Sequence, residues 1–231
     1  MHQCQPFHHA FFNDAGLNLQ AIFNLDQLPT DMIAALDSPS EQYRQLILIG
    51  HGGKTLWESL KSSGIQSENP IDDFSIRAIE QYFVHHLPDN CYDVIYPGVR
   101  PVGLQELGKL AGWHHASPFM VGINEAWGTW YAYRAVVLAD TNFETTLPVQ
   151  DLSPCDGCQH KICIDQCPAS ALAGGLFDLQ KCIGYRKQPA SKCKATCLAR
   201  VSCPVASVHR YSDEQIRYHY SISMKTIEQK Y

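Results

Sequence analysis

Eight of the ten cysteines of this chain fall between Cys155 and Cys203, in two groups. The first is Cys155-x2-Cys158-x4-Cys163-x3-Cys167-Pro168. The second is Cys182, then Cys193-x3-Cys197-x5-Cys203-Pro204. Thiolates this dense are soft metal ligands, suited to iron–sulfur clusters or zinc. Three closely spaced thiolates in a loop can cap three irons of a cubane, and the fourth iron must then face a cysteine arriving from elsewhere. A pair of Cys4 zinc sites or a disulfide framework would use the same residue type. Two Cys-Pro pairs, both at the position where a cysteine would cross over, favour iron–sulfur.

Two-cluster ferredoxins use the run C-x2-C-x2-C-x3-C-P, whose fourth cysteine ligates the other cluster. On that pattern one [4Fe–4S] cluster takes Cys155, Cys158, Cys163 and Cys203, and a second takes Cys167, Cys182, Cys193 and Cys197. The Cys158-x4-Cys163 interval and both intervals of the second group are longer than the standard run. Each proline after a crossing cysteine is expected to end its loop and open a helix, as prolines do at a first helical position.

The elements that must carry these groups are legible from periodicity. Gln45-Leu46-Ile47-Leu48-Ile49 reads as a short buried strand. It runs into Gly50-His51-Gly52-Gly53 and a helix from Lys54 to Ser62. Ile76, Ile79, Phe83 and Leu87 recur at helical spacing, predicting a helix over 73–87. Cys91 to Tyr96 and Trp130 to Ala139 read as strands, and Leu104 to Gly112 as a helix. Ser212 is placed to cap a C-terminal helix. Alternating strand and helix signals predict an α/β (α+β) sheet domain of two or three layers.

Composition bounds the rest. The chain has 231 residues, 45% apolar and 18% charged, so it can bury a core without disulfides. Charge is uneven: residues 1–150 carry 7 basic against 16 acidic groups, a net of −9, and residues 151–231 carry 11 against 7, a net of +4. That asymmetry predicts two domains, 1–147 and 148–231, joined within Thr141 to Pro154. An acidic first half speaks against nucleic acid as a partner. There is no run of 18 apolar residues to span a bilayer, and Met1-His2-Gln3-Cys4 lacks the basic flank of a signal peptide, so a cytoplasmic location is expected.

The cysteine octet, with Lys181-Cys182-Ile183-Gly184-Tyr185 isolated between its groups, resembles the C-terminal domain of epoxyqueuosine reductase and the ferredoxin-like end of reductive dehalogenases. Both families pair two [4Fe–4S] clusters with a cobalamin domain. Over roughly residues 15–140, Asn69-Pro70-Ile71-Asp72, Ala111-Gly112 and Gly128-Thr129-Trp130-Tyr131-Ala132-Tyr133-Arg134-Ala135-Val136-Val137-Leu138 resemble the type C B12 trafficking proteins. These process cobalamin on a nitroreductase-like sheet. The resemblance implies a nitroreductase-like first domain, a small ferredoxin-like second one, and cobalamin as a cofactor, with flavin the second choice.

Further candidates follow from these. Gly50, Gly52 and Gly53 could cradle a phosphate of a flavin or of the cobalamin nucleotide tail, or simply form a tight turn. Arg134, on an apolar strand, needs an anionic partner, which could be a cofactor or an internal carboxylate. Trp113, His114 and His115 fall where the resembled family has aromatic residues near its cobalamin pocket. The other histidine pairs, His8-His9 and His85-His86, read as surface or packing residues.

Two functions are compatible with these readings. One is a reductase in which clusters pass single electrons from a redox partner protein to the cofactor, and from it to a small-molecule or cofactor substrate. The other is a ferredoxin-type electron carrier or corrinoid-handling chaperone without substrate turnover. A large α/β domain is more than a carrier needs, which favours the enzyme.

Overall fold

A computed structural model describes residues 4–36, 42–147 and 152–231. The extreme N-terminal residues 1–3 and the expected junction at 147/148 lie wholly or partly outside the described residues. The chain divides into two compact units, Met1–Gly112 with Tyr131–Val149, and Trp113–Trp130 with Gln150–Tyr231. The Trp113–Trp130 segment, which the sequence places in the first domain, therefore belongs with the cysteine-bearing unit.

The first unit runs α1 (His9–Asp14), β1 (Leu19–Asn24), α2 (Thr30–Ala35), β2 (Gln45–Gly52), α3 (Thr55–Ser63), α4 (Pro70–His86), β3 (Tyr92–Tyr96), α5 (Leu104–Leu110) and β4 (Tyr131–Ala139). Its four strands form one sheet in the order β1-β2-β4-β3, with every ladder antiparallel. This is an α+β arrangement, because no pair of neighbouring strands needs a parallel crossover. All eight residues of β2 are buried, as its unbroken apolar run demands for a strand flanked on both edges. Leu46 faces Phe23 on one side and Leu138 on the other.

The helices form where periodicity and caps agree. Helix α4 starts at Pro70, earlier than the apolar spacing alone predicts, because proline suits the first turn and Asp72 and Asp73 complement the helix dipole there. Its buried Ile71, Ser75, Ala78, Ile79, Tyr82 and Phe83 make one stripe, and the helix packs on β4. Helix α3 packs on β2 and α4. A Cβ at Gly108 of α5 would overlap the Tyr133 hydroxyl, so glycine permits the close approach of α5 to β4. Burial pushes the Tyr133 phenol up to about 12.

The second unit is mostly loop, punctuated by α6 (Ile162–Asp165), α7 (Leu179–Lys187), α8 (Leu198–Val201) and α9 (Asp213–Lys230). Asp178 caps α7 by accepting from Lys181 N–H at 3.0 Å. Ser212 caps α9 by accepting from Gln215 N–H at 3.2 Å. The Trp113–Trp130 strap is anchored at its end. The Arg200 guanidinium stands 4.6 Å over the Trp130 ring and donates to the Thr129 carbonyl at 2.5 Å. Gly128 there has φ +57°, and a Cβ on it would strike the Val205 carbonyl, so two separate reasons demand glycine. Among the described residues no helix is long and apolar enough to cross a membrane.

Candidate metal centre

The eight cysteines come from short, separately fixed pieces of backbone. Cys155 and Cys158 lie in a turn, where Cys155 N–H donates to Ser153 Oγ at 3.3 Å. Cys163 sits on α6 and Cys167 just past its end. Cys182 is on α7, Cys193 follows in a loop with its N–H donated to Ser191 Oγ at 3.1 Å, and Cys197 and Cys203 bracket α8. Neither Cys-Pro pair opens an α-helix. Pro168 enters a run of turns, and Pro204 leads through a turn into a single 3-10 turn at Ser207–His209. The expected helix starts are absent because the following residues, Ala169-Ser170 and Val205-Ala206, include left-handed Ser170 (φ +49°) and Ala206 (φ +46°).

These pieces assemble two thiol-lined cavities, and the crossing is plain in them. One is a slot of about 20 Å³ lined by Cys155, Cys158, Cys163 and Cys203. The other holds about 230 Å³ and is lined by Cys167, Cys182, Cys193 and Cys197. Phe119 of the strap, 8% exposed, lines both and packs with Cys163, Leu172 and Ala199. All ten cysteines are free thiols. Among the described residues no three His, Cys, Asp or Glu side chains converge on a point that could hold one metal ion.

The electrostatics follow the same partition. Burial pushes the Cys155 thiol up, and Cys203, Cys163 and Cys158 push it further. Burial raises Cys163 too, with Cys203 and Cys158 adding to it. In the second set burial holds Cys182 at about 11, with Cys197, Cys167 and Cys193 adding and Arg186 opposing. Four thiolates crowded in a half-buried slot repel one another, and a bound cationic core relieves that repulsion while displacing the protons. The donor set of each cavity suits an iron–sulfur cluster, and the second cavity has room for one, whereas the first slot, at about 20 Å³, is narrower than a cubane.

The candidates proposed for a second cofactor are divided. Gly50 and Gly52 are residues of β2 and not of a turn. The Gly52 N–H donates to Asn18 Oδ1 at 2.7 Å, and the Gly52 carbonyl accepts from Asn18 Nδ2 at 3.1 Å. A phosphate cradle at these glycines loses that donor to Asn18, and only Gly53, at φ +75°, occupies the bend into α3. Arg134 is 9% exposed on β4 and donates through Nε to Nδ1 of His51, itself fully buried, at 2.9 Å. Asp72 is nearby: burial raises its carboxyl and Arg134 opposes that rise. The internal-carboxylate reading of Arg134 is the one that meets a partner here, since Asp72 shares its field. Trp113, His114 and His115 lie on the strap of the second unit. There His115 and Ile123 exchange backbone hydrogen bonds at 3.0 and 2.9 Å, and Ile123 lines the first cavity.

Besides Phe119, sequence reasoning overlooked three side chains. Arg186 lines the second cavity, one helical turn beyond Cys182, and that spacing on α7 was the available signal. His51 lay inside the glycine run, but only the structure brings it to Arg134. Tyr220, on α9, had no local signal.

Solved structures of several reductases share this fold. An epoxyqueuosine reductase solved with a tRNA-Tyr stem loop superposes on 90% of this chain at a TM-score of 0.54 and 11% identity, with 66% of that chain covered. The Bacillus subtilis epoxyqueuosine reductase matches over 88% of this chain and 66% of its own, at a TM-score of 0.52 and 11% identity. A catabolic reductive dehalogenase, solved with 3-bromo-4-hydroxybenzoic acid, matches over 92% of this chain and 33% of its own, at a TM-score of 0.51 and 17% identity. A dehalogenase of the same kind is described as acting by B12-dependent dehalogenation. At these identities the likeness is one of fold. The chain spans just under two thirds of the epoxyqueuosine reductases and a third of the dehalogenases. No protein-family model and no curated protein matches the sequence.

Proposed function

We propose that this chain is an iron–sulfur redox protein, an oxidoreductase of the epoxyqueuosine reductase-like type. Cys155, Cys158, Cys163 and Cys203 would hold one [4Fe–4S] cluster, and Cys167, Cys182, Cys193 and Cys197 the other. The observation that carries the reading is the crossed division of eight thiols between two cavities. Bound there, the clusters supply one-electron chemistry at low potential. The chain's own residues bind the irons, and Phe119 keeps water from the wall common to both cavities. The narrow first slot has to widen on loading.

The acceptor we propose is a cobalamin at the first unit, with flavin as the second choice and a redox partner protein as electron donor. The support is the fold likeness together with the buried Arg134, a cation suited to an anionic group of such a cofactor. The glycines do not fit a phosphate cradle, because Asn18 takes the Gly52 N–H. The sheet unit, larger than a carrier requires, favours turnover over a ferredoxin-type electron carrier.

The test is anaerobic reconstitution of the full chain with iron and sulfide. About eight irons and eight sulfides per chain are expected, and Cys203→Ser should lower iron by about half. Stoichiometric zinc without sulfide would sink the reading. Titration with hydroxocobalamin, and separately with flavin mononucleotide, tests the acceptor. A shifted cobalamin spectrum weakened by Arg134→Ala supports it, and no binding of either overturns that part alone.

A further inference from the structure

The two thiol sets are not electrostatically equivalent. Arg186 is 7% exposed and lines the second cavity. Its Nε–H donates to the Cys193 carbonyl at 3.0 Å, Nη1 to Ser223 Oγ at 2.8 Å, and Nη2 to the Tyr220 carbonyl at 3.3 Å. All three acceptors are neutral. Among the described residues no Asp or Glu lies within salt-bridge distance of this guanidinium. A buried cation without an anion is costly, so such a group implies a negative charge close by. The Tyr220 ring lies beneath it, 5.3 Å from centroid to guanidinium, and the Tyr220 hydroxyl stands beside the Cys197 sulfur and Arg200. The first cavity has Lys161 on its wall instead, and that lysine is exposed, so water and salt screen it.

Resting on the iron–sulfur reading above, we propose that Arg186, with the Tyr220 hydroxyl, is the counter-charge of the second cluster and makes it the more easily reduced of the two. A thiolate-ligated cubane is anionic and becomes more so when it takes up one electron. A fixed positive charge and a hydrogen bond to a ligating sulfur both stabilise the reduced form and raise the potential. The electron comes from outside the protein, dithionite in the test, which is oxidised as each cluster gains one electron and no bond is made or broken. The pair of sites is thus graded, with the Cys167 set as the lower-energy resting place for a single electron.

The experiment is a dithionite titration of the reconstituted full chain, followed by electron paramagnetic resonance, on wild type, Arg186→Gln, Arg186→Lys and Tyr220→Phe. Wild type should reduce in two separate steps. Arg186→Gln should lower the more positive midpoint by about 59 mV, a tenfold loss in the reduction equilibrium, and leave the other unmoved. Arg186→Lys should restore most of that shift, and Tyr220→Phe should give a smaller shift in the same direction. Two loaded clusters whose midpoints are unmoved in Arg186→Gln, or move together, would overturn the proposal. If Arg186→Gln loses the second cluster, Tyr220→Phe, which keeps the ring under the guanidinium, decides alone, and an unmoved midpoint there overturns it. Wild type that takes up no iron and sulfide fails the underlying reading instead.

Discussion

Arg134 donates its Nε–H to Nδ1 of His51 at 2.9 Å, joining adjacent strands β4 and β2 through two buried side chains. That bond requires the neutral imidazole to carry its proton on Nε2. Removing the acceptor in His51→Phe leaves a buried guanidinium short of a partner. We expect a loss of about 1–3 kcal/mol in urea unfolding. Replacing both, as His51→Phe with Arg134→Met, should cost less than the two single changes summed. Strict additivity in that double-mutant cycle would show that the two side chains act independently.

Cys163 and Cys167 are one helical turn apart, yet they face different cavities. Cys163→Ser should therefore damage one cluster and Cys167→Ser the other, each lowering iron by about half and each leaving a different resonance signal intact. Identical spectra for the two variants would contradict the crossing.

Gly108→Ala places a methyl group where the Tyr133 hydroxyl stands. Overpacking of this kind should destabilise the first unit by about 1–3 kcal/mol. Tyr133→Phe, by removing the clashing oxygen, should recover part of that loss in the double variant. Thermal melts of the four proteins suffice to check it.

The same phenol gives a pH dependence with a definite sign. Its folded value, about 12, is raised from 10.0, chiefly by burial. Stability from this group is present in full below pH 10 and is lost as pH rises towards 12. Unfolding free energy of wild type should accordingly fall more steeply over that window than that of Tyr133→Phe. Parallel curves would remove the phenol from the account.

Gly128→Ala meets both a left-handed backbone and the Val205 carbonyl. It should loosen the Thr129–Trp130 anchor on Arg200, and the loosened second unit should lose iron faster to a chelator than wild type does. Gly157→Ala, whose Cβ meets nothing within 4 Å, is the control.

What the sequence revealed, and what it concealed, has physical causes. The buried run at Gln45–Ile49 and the stripe of α4 were readable because a single face or a full burial fixed their composition. The Ser212 cap was readable because capping is local. Strand β1, Leu19-Gln-Ala-Ile-Phe-Asn24, escaped notice: it is an edge strand whose two buried residues, Ala21 and Ile22, are consecutive and break the alternation expected of a half-buried strand. The division of thiols between two cavities follows the spacing of the cysteines, since chain geometry limits which can meet. The residues facing those thiols from α9 and from the strap, Tyr220 and Phe119, are distant in sequence and carry no pattern that announces them. The strand predicted from Trp130 begins one residue later, because Trp130 belongs to the second unit and packs there with Tyr211 and Ile216.

The strap bears on how such a chain can be made and divided. Polypeptide leaves the first unit at Gly112, serves the second as far as Trp130, and returns at Tyr131 to lay down β4. On a ribosome, the wall that Phe119 provides is therefore synthesised before any of the eight thiols whose cavities it lines. A gene fragment starting at residue 150 would encode every cysteine of the octet and none of that wall. The cysteine unit is consequently no detachable cassette: an excised version would need residues 113–130 stitched back on, by circular permutation or by co-expression of the missing piece.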